Sequence, residues 1–218
     1  MNNIIPLVVC VNMSDYLNIT IDKNRHFFEK YYVLTCDNDV ETQTLCEEYN
    51  ADVIKYNEFF DKNGCKFNKS GGIFMAQKYL HEKYPNHWIL LLDVDIVLME
   101  ETFTILKDTI LKDTILNDTE LNENALYGVK RYDVLNDEEL LNKYKKRLYR
   151  SDFVGFFQLY YNKNIYYPEF SKNASVCDLV FLQKFKKKIM LNGYVFHLGN
   201  PGAHWNGKSI DCNFKKNL

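Results

Sequence analysis

The stretch that decides the fold runs from Trp88 to Leu98 and reads WILLLDVDIVL. Apart from its two aspartates it is continuously apolar, as expected of a strand buried on both faces. Residues two apart in an extended chain point the same way, so Asp93 and Asp95 are predicted to lie side by side. We expect them near the carboxyl end of a sheet strand, where open α/β folds bind ligands.

Two neighbouring carboxylates in an apolar setting need a compensating cation, because an unpaired buried charge is costly. Ligation by oxygen atoms alone suits Mg²⁺ or Mn²⁺. The pair therefore predicts a divalent metal site. In the alternative interpretation, one aspartate caps the next turn and the other pairs with a lysine.

The sequence before this stretch alternates short apolar runs with helical patterns, which is typical of βα units around a mostly parallel sheet. The predicted fold class is therefore α/β, with helices flanking the sheet. Strands are predicted at 6–12, 31–35, 51–56 and 87–92, and helices at 39–49, capped by Asp39, and 70–84, ended by Pro85.

The sequence after this stretch is less regular. A near-repeat, ILKDT-ILKDT-ILNDT, begins at Ile105 and ends at Thr119. We interpret it as an exposed helical excursion, with a partner-binding surface as the alternative. Further strands are predicted at 126–131, 152–161 and 194–198, and helices at 137–150 and 175–188. No linker rich in Pro, Gly or Ser divides the chain, so 1–218 is predicted to be one domain.

Composition excludes several classes of partner. The 218 residues include 27 basic and 29 acidic side chains, for a net charge of -2, which predicts no general attraction to nucleic acid or anionic membranes. The six cysteines form no Cys-x-x-Cys pair, so reduced thiols are expected. The first residues resemble neither a signal sequence nor a membrane span, and a cytoplasmic location is predicted.

A second group of polar residues lies near the C-terminus, where residues 195–208 read VFHLGNPGAHWNGK. Glycines such as Gly199 let backbone amides approach a phosphate, and a neutral imidazole can complete the coordination of a metal. Lys208 could supply a point charge for a diphosphate. The alternative is a turn-rich tail that packs on the sheet, and for His204 alone this alternative is favoured.

Taken in order along the chain, these motifs resemble those of small GT-A glycosyltransferases. The similarity is greatest to the N-terminal glycosyltransferase domain of the chlorella-virus multidomain rhamnosyltransferase and its relatives in large DNA viruses and bacteria. The motifs are FNKSGG at 67–72, WILLLDVDIVL at 88–98, YGVKR at 127–131, GFFQ at 155–158, SVCD at 175–178, HLG at 197–199 and WNGK at 205–208.

This resemblance implies a single GT-A domain that transfers a hexosyl or deoxyhexosyl group. The implied donor is a UDP-sugar, such as UDP-glucose or UDP-rhamnose, and the implied acceptor is a glycan. If the gene is viral, the location becomes the host cytoplasm.

The resemblance also implies roles for residues near the metal. Asp93 and Asp95 match the Asp-x-Asp pair that holds Mn²⁺ or Mg²⁺ on the nucleotide diphosphate, with Val94 between them against the nucleotide. His197 matches a late histidine that is a further metal ligand in related families. Lys208 matches a basic residue that faces the phosphates.

The nucleotide site is carried over in the same way. Lys69 matches a lysine placed near the nucleotide. Val11, Asn12 and Asp37 lie at the ends of the first two predicted strands, where such folds bind uracil and ribose.

Asp178 resembles the acceptor-side carboxylate of these enzymes. In an inverting reaction it would be the base that deprotonates the acceptor hydroxyl, and in a retaining reaction it would orient the acceptor. A helix N-cap is the alternative role. Gln158 is either a hydrogen-bond partner of a sugar hydroxyl or a buried structural amide.

Two other functions remain open. A sugar-nucleotide nucleotidyltransferase would share the acidic metal ligands, but the basic glycine-rich loop that it normally needs does not follow Val11. A catalytically silent sugar-binding or nucleotide-binding module is the other alternative. If Asp93 and Asp95 repel each other, Asp95→Ala should leave metal-free stability unchanged or raised. If His197 binds metal, donor binding should weaken as the pH falls through about 6 to 7.

Overall fold

The computed structural model describes residues 3–60, 62–115, 124–145, 147–149, 153–200, 204, 207–208 and 212–214. Within these residues, nine strands form one sheet, and six α-helices and two short 3-10 turns accompany them. In chain order the elements are β1 (Ile4–Val9), α1 (Ser14–Asn24), a 3-10 turn (Arg25–Phe27), β2 (Tyr32–Thr35), α2 (Val40–Glu48), β3 (Asp52–Lys55), a 3-10 turn (Lys62–Gly64), α3 (Lys69–Lys83), β4 (Trp88–Asp93), β5 (Ile96–Leu98), α4 (Glu100–Ile115), β6 (Ala125–Val134), α5 (Asp137–Leu141), β7 (Arg147–Tyr149), β8 (Phe157–Tyr161), α6 (Ala174–Gln183) and β9 (Lys187–Leu198).

The strand order is β3-β2-β1-β4-β8-β6-β9-β5, and β7 pairs with β6. Strands β1 to β4 run parallel, as helical crossovers require. Strand β8 is antiparallel to both β4 and β6, and β5 is antiparallel to β9, whereas β6 and β9 are parallel. The predicted α/β class is confirmed, but the sheet is mixed rather than mostly parallel, because β5, β7 and β8 run antiparallel to the strands beside them.

The centre of the sheet is buried on both faces. Ile4 and Val8 of β1 pack in one hydrophobic cluster, and Ile5, Leu7 and Val9 pack in the other. This alternation explains why β1 and β4 are continuously apolar in sequence. The carboxyl ends of β1 and β4 are thus held in place by packing on both faces of the sheet.

Side-chain caps set the start of two helices. Asp39 caps α2, as predicted, by accepting a hydrogen bond from the amide of Thr42 at 3.3 Å. Helix α3 begins at Lys69, one residue before the predicted start, because Asn68 accepts from the amide of Gly71 at 3.2 Å. This cap places Lys69 in the first turn of α3.

The predicted helix over 137–150 starts at the predicted residue but is too long. Helix α5 ends at Leu141, and residues 147–149 form β7 against β6. Leu140 is the buried residue of α5, so this short helix has little apolar surface to hold it on the sheet.

The predicted helix over 175–188 is too long, because α6 ends at Gln183 and β9 starts at Lys187. Strand β9 replaces the shorter strand predicted at 194–198, since pairing with β6 extends along most of its length. The strand predicted at 152–161 is shorter, starting at Phe157, and residue 152 lies outside the described ranges. The near-repeat is helical in α4 as far as Ile115, and residues 116–119 also lie outside those ranges.

Within the described part of the chain, no helix combines the length and apolar character needed to cross a membrane.

Candidate active site

A cavity opens at the carboxyl ends of β1 and β4. Its wall includes apolar side chains such as Val9, Val11 and Phe156, together with a dense group of titratable residues. These titratable residues are Lys69, Asp93, Asp95, Arg131, Asp178, His197 and His204. Perturbed titratable groups in one concave site identify a candidate active site.

The Asp-x-Asp segment is a turn rather than a continuous strand. Strand β4 ends at Asp93, Val94 and Asp95 form the turn, and β5 begins at Ile96. Thr20 donates to the carbonyl of Val94 at 2.8 Å, which anchors the turn. The extended geometry assumed from the sequence is therefore wrong, although Asp93, Val94 and Asp95 all line the cavity.

Asp93 forms an ion pair with Lys69, whose Nζ lies 2.6 Å from Asp93 Oδ1. The same ammonium group lies 3.9 Å from Asp178 Oδ1 and so bridges two carboxylates. Burial lowers the pKa of Lys69, but Asp178 and Asp93 outweigh burial and raise it overall. Burial raises the pKa of Asp93, and Asp95 and Asp178 add to that effect while Lys69 opposes it. Lys69 thus compensates Asp93, as the lysine-pairing alternative anticipated.

Asp95 belongs to a separate buried network built on His197. The Nε2 atom of His197 lies 3.2 Å from Asp95 Oδ2, and its Nδ1 atom lies 3.0 Å from Asp133 Oδ1. Arg131 Nε also lies 3.0 Å from Asp133 Oδ1. All four side chains are buried.

The electrostatics of this network favour a charged imidazole. Burial lowers the pKa of His197, but Asp95 and Asp133 outweigh it and raise the pKa to about 9. Burial raises the pKa of Asp95, while His197 and Arg131 lower it to a value below the ordinary one. Asp95 Oδ1 is nevertheless buried with no hydrogen-bond partner among the described residues.

The roles of Arg131 and Asp133 could not be predicted from the sequence. Both lie on β6, and Asp133 is paired in register with His197 of β9. The sequence shows only an Arg-x-Asp pattern at the end of a predicted strand. The pairing of β6 with β9 is what brings Asp133 to His197.

Asp178 lies in the second turn of α6, which starts at Ala174. The N-cap alternative is therefore wrong. Gly155 packs directly against the carboxylate, because a Cβ atom at that position would overlap the carboxyl group of Asp178. The glycine of the GFFQ motif thus makes room for Asp178 at the cavity wall.

Gln158 is fully buried and does not line the cavity. Its Nε2 donates to the carbonyl of Phe153 at 2.8 Å, and its Oε1 accepts from the hydroxyl of Tyr167. The amide is structural in this arrangement, which is the second of the two roles predicted for it, and it does not face a sugar in the cavity.

The predicted nucleotide residues are spread over a wider area. Val11 lines the cavity, whereas Asn12 and Asp37 are exposed and do not line it. The amide of Asn12 donates to Asp39 Oδ2 at 2.7 Å. Asp37 pairs with Lys55 at 3.2 Å, and hydrogen bonding from Asn57 and Lys55 lowers its pKa.

The C-terminal motif is only partly at the cavity. His204 lines it, but the amide of Gly199 donates to the carbonyl of Val134 at 2.7 Å and is not offered to a phosphate. Lys208 Nζ lies 2.7 Å from Asp15 Oδ2, outside the cavity wall. The neighbouring residues 205–206 lie outside the described ranges.

The carboxylates of the cavity fit a divalent cation that takes one or two protein ligands and fills its remaining positions with phosphate oxygens and water. Among the described residues, no group of three or more His, Cys, Asp or Glu side chains is arranged to hold a metal ion. Mg²⁺ commonly takes one or two protein carboxylates and completes its shell with substrate phosphates and water. The partnerless Oδ1 of Asp95 meets that requirement, whereas Asp93 is paired with Lys69 and could become a ligand only if Lys69 moved to another anion.

Comparison with known proteins gives a fold but no sequence family. No protein-family model and no curated protein sequence matches the chain. Glucosyl-3-phosphoglycerate synthase from Mycobacterium tuberculosis is structurally similar, both bound to phosphoglyceric acid (11% identity, TM-score 0.53) and bound to Mn²⁺, UDP and glucosyl-3-phosphoglycerate (11% identity, TM-score 0.51). In both comparisons the match covers 91% of this chain and 72% of the other.

A putative nucleotide-diphospho-sugar transferase from Desulfovibrio desulfuricans G20 is also similar, with 5% identity and a TM-score of 0.50. That match covers 92% of this chain and 84% of the other. At such low identity these likenesses show the fold alone, and that fold is the GT-A fold of nucleotide-diphospho-sugar transferases. The narrower resemblance to the chlorella-virus domain stays a prediction.

Proposed function

We propose that the chain is a metal-dependent glycosyltransferase that moves a hexosyl or deoxyhexosyl group from a UDP-sugar to a hydroxyl of a glycan or another acceptor. The observation that carries this proposal is one cavity, at the carboxyl ends of β1 and β4, that contains the Asp93–Asp95 turn and Asp178. UDP-glucose, UDP-rhamnose or a similar molecule is the proposed donor. The solved structure with Mn²⁺ and UDP, which shares the fold, supports the choice of cofactor and nucleotide.

Asp95 is the proposed first ligand of Mn²⁺ or Mg²⁺, because its Oδ1 atom is buried without a partner among the described residues. Asp93 and His197 are the proposed further ligands. The bound cation would supply the positive charge that stabilises a diphosphate leaving group. Asp133 would orient His197 from the opposite side of the imidazole, as carboxylates commonly do for histidine ligands.

Lys69 provides a second positive charge at the diphosphate. Its ammonium group is buried between Asp93 and Asp178, so it can turn from one anion to another without leaving the cavity. Val11 and Val94 form the proposed apolar contact with the nucleotide. Asn12 and Asp37, which do not line the cavity, are the proposed contacts of ribose and uracil. Gly199 and Lys208 could reach phosphate only by giving up their present partners.

Asp178 is the proposed acceptor-side carboxylate. In an inverting transfer it takes the proton of the acceptor hydroxyl as that oxygen attacks the anomeric carbon. In a retaining transfer it holds the acceptor hydroxyl in place. The anomeric configuration of the product, measured by proton NMR, separates these two roles.

We also propose a cytoplasmic location, or the host cytoplasm if the gene is viral. All six cysteines are free thiols, which agrees with a reducing compartment.

Two measurements test the proposed function. In a thermal-shift screen with Mn²⁺, UDP-sugars should raise the melting temperature and GDP-sugars should not, because a ligand that binds only the native state stabilises it. The same samples are then assayed for release of UDP from the donor. Equal stabilisation by both nucleotides would refute the uridine assignment.

Matched variants connect the activity with the cavity. Asp95→Asn should abolish the release of UDP. Asp52→Asn should retain it, because this half-buried carboxylate lies 3.7 Å from Lys30 and outside the cavity wall. Release of pyrophosphate from UTP and a sugar phosphate would instead identify a nucleotidyltransferase. Binding of the donor with no turnover in the presence of Mn²⁺ and a range of glycan acceptors would identify a silent module.

A further inference from the structure

Tyr167 is a buried residue with no part in the proposed transfer. Its hydroxyl lies 3.0 Å from Asp178 Oδ1 and 2.5 Å from Gln158 Oε1. It therefore stands between the proposed acceptor-side carboxylate and a fully buried amide.

The amide of Gln158 presents its oxygen to this hydroxyl. Because Gln158 Nε2 donates to the carbonyl of Phe153 at 2.8 Å, Oε1 is directed at Tyr167. The hydroxyl thus has one hydrogen and two acceptors, Gln158 Oε1 and Asp178 Oδ1. Burial, together with the nearby charge of Asp178, raises the pKa of Tyr167 well above its usual range, so the hydroxyl keeps that hydrogen.

The ring of Tyr167 has little freedom to move. It stacks on Phe181 with ring centroids 4.3 Å apart and an interplanar angle of 26°. Its backbone amide donates to Gln77 Oε1 at 2.7 Å. The hydroxyl is consequently held at one place in a packed core, as an effective orienting group must be.

We infer that Tyr167 is a positioning residue: the one hydrogen of its hydroxyl, shared between Gln158 Oε1 and Asp178 Oδ1, holds the carboxylate of Asp178 toward the acceptor side of the cavity. The inference rests on the proposed function, because it takes Asp178 as the carboxylate that meets the acceptor. Lys69 reaches the same Oδ1 atom from 3.9 Å, and Gly155 packs against the carboxyl group. Tyr167 is the neutral hydrogen-bond donor in this set.

The test compares Tyr167→Phe with Tyr160→Phe. Each variant removes one buried hydroxyl and keeps the ring, and both rings pack against Phe181. The hydroxyl of Tyr160 is bonded to Gln77 at 2.7 Å rather than to Asp178, so this variant controls for general loss of packing or stability.

Tyr167→Phe should lower kcat by about 10-fold to 100-fold, the effect of losing one hydrogen bond to a charged group. Its KM for the donor should stay within about twofold of the wild-type value, because the nucleotide contacts are intact. Tyr160→Phe should keep the wild-type kcat. A double-mutant cycle with Asp178→Asn should show that the Tyr167→Phe effect largely disappears once the carboxylate is gone.

A second readout needs no turnover. The carboxyl-carbon NMR resonance of Asp178 in the free protein should move in Tyr167→Phe and stay in place in Tyr160→Phe. An unmoved resonance, equal kcat losses in the two variants, or additive effects in the cycle would overturn the inference. Absence of transferase activity in the wild-type protein would count against the proposed function, and the NMR result would still decide the Tyr167 contact.

Discussion

The affinity of the site for a divalent cation should rise with pH well above neutrality, because His197 must lose a proton to become a ligand. The two carboxylates around this imidazole raise its pKa from 6.5 to about 9. At pH 7, two units below this pKa, His197 is protonated. Removing the proton costs metal binding roughly 3 kcal/mol. From the ordinary pKa of histidine, the sequence predicts instead that binding changes only below about pH 7.

The measurement is calorimetric titration of Mg²⁺ into the protein with UDP, between pH 6.5 and 8.5. The apparent Kd should tighten by about tenfold per pH unit, and repeating the titration in buffers of different ionisation enthalpy should show about one proton released per ion. UDP itself titrates near pH 6 and contributes equally in every variant, so it cancels in the comparison.

Two histidine variants assign the proton. His197→Gln should flatten the pH dependence, and His204→Gln should leave it intact, because burial lowers the pKa of His204 and keeps that ring neutral. A wild-type Kd that does not change over this range would refute the reasoning and leave His197 as a purely structural cation. If the pH dependence of the Kd is lost in His204→Gln and kept in His197→Gln, the metal ligand is His204 and not His197.

Three further perturbations follow from the same contacts. Asp95→Asn should lower the melting temperature of the metal-free protein by several degrees, because it leaves the buried His197 cation without one partner. An unchanged or raised melting temperature by calorimetry would instead support repulsion between Asp93 and Asp95. Gly155→Ala should reduce transferase activity at least about tenfold, because the new methyl group displaces Asp178, and unchanged kcat would contradict that contact. Acidification from pH 6.5 to 4 should destabilise the fold, since burial lowers the pKa of His81 to about 4 and the unfolded chain takes up that proton first. His81→Gln should weaken this pH dependence of the unfolding free energy in urea titrations, and an undiminished dependence would exclude His81 as its source.

Much of the first half of the fold could be predicted because its signals are local. Strands β1, β2 and β3 and helix α2 with its Asp39 cap follow from apolar runs and from a capping residue within a few positions of each other. The second half was harder. Residues 147–149 and the start of β9 carry charged patterns that favour helix, and they become strands because β6 offers them an edge to pair with.

The candidate site divides in the same way. The Asp-x-Asp segment stands out in sequence because two charges interrupt an apolar run, and Asp178 was found only through resemblance to a family. Tyr167 gave no signal, since one tyrosine among 16 cannot be distinguished by composition.

The sequence by itself determined the α/β class and the position of the Asp93–Asp95 pair at the end of an apolar strand. Only the tertiary structure decided the partners of these residues: Lys69 for Asp93, His197 for Asp95, and Asp133 on the far side of the imidazole. The physical reason is that periodicity and capping act within one element, whereas the charge state of a buried group depends on strands that are paired far apart along the chain. Strands β6 and β9 bring Asp133 to His197 across 64 residues of sequence, and no local pattern encodes that register.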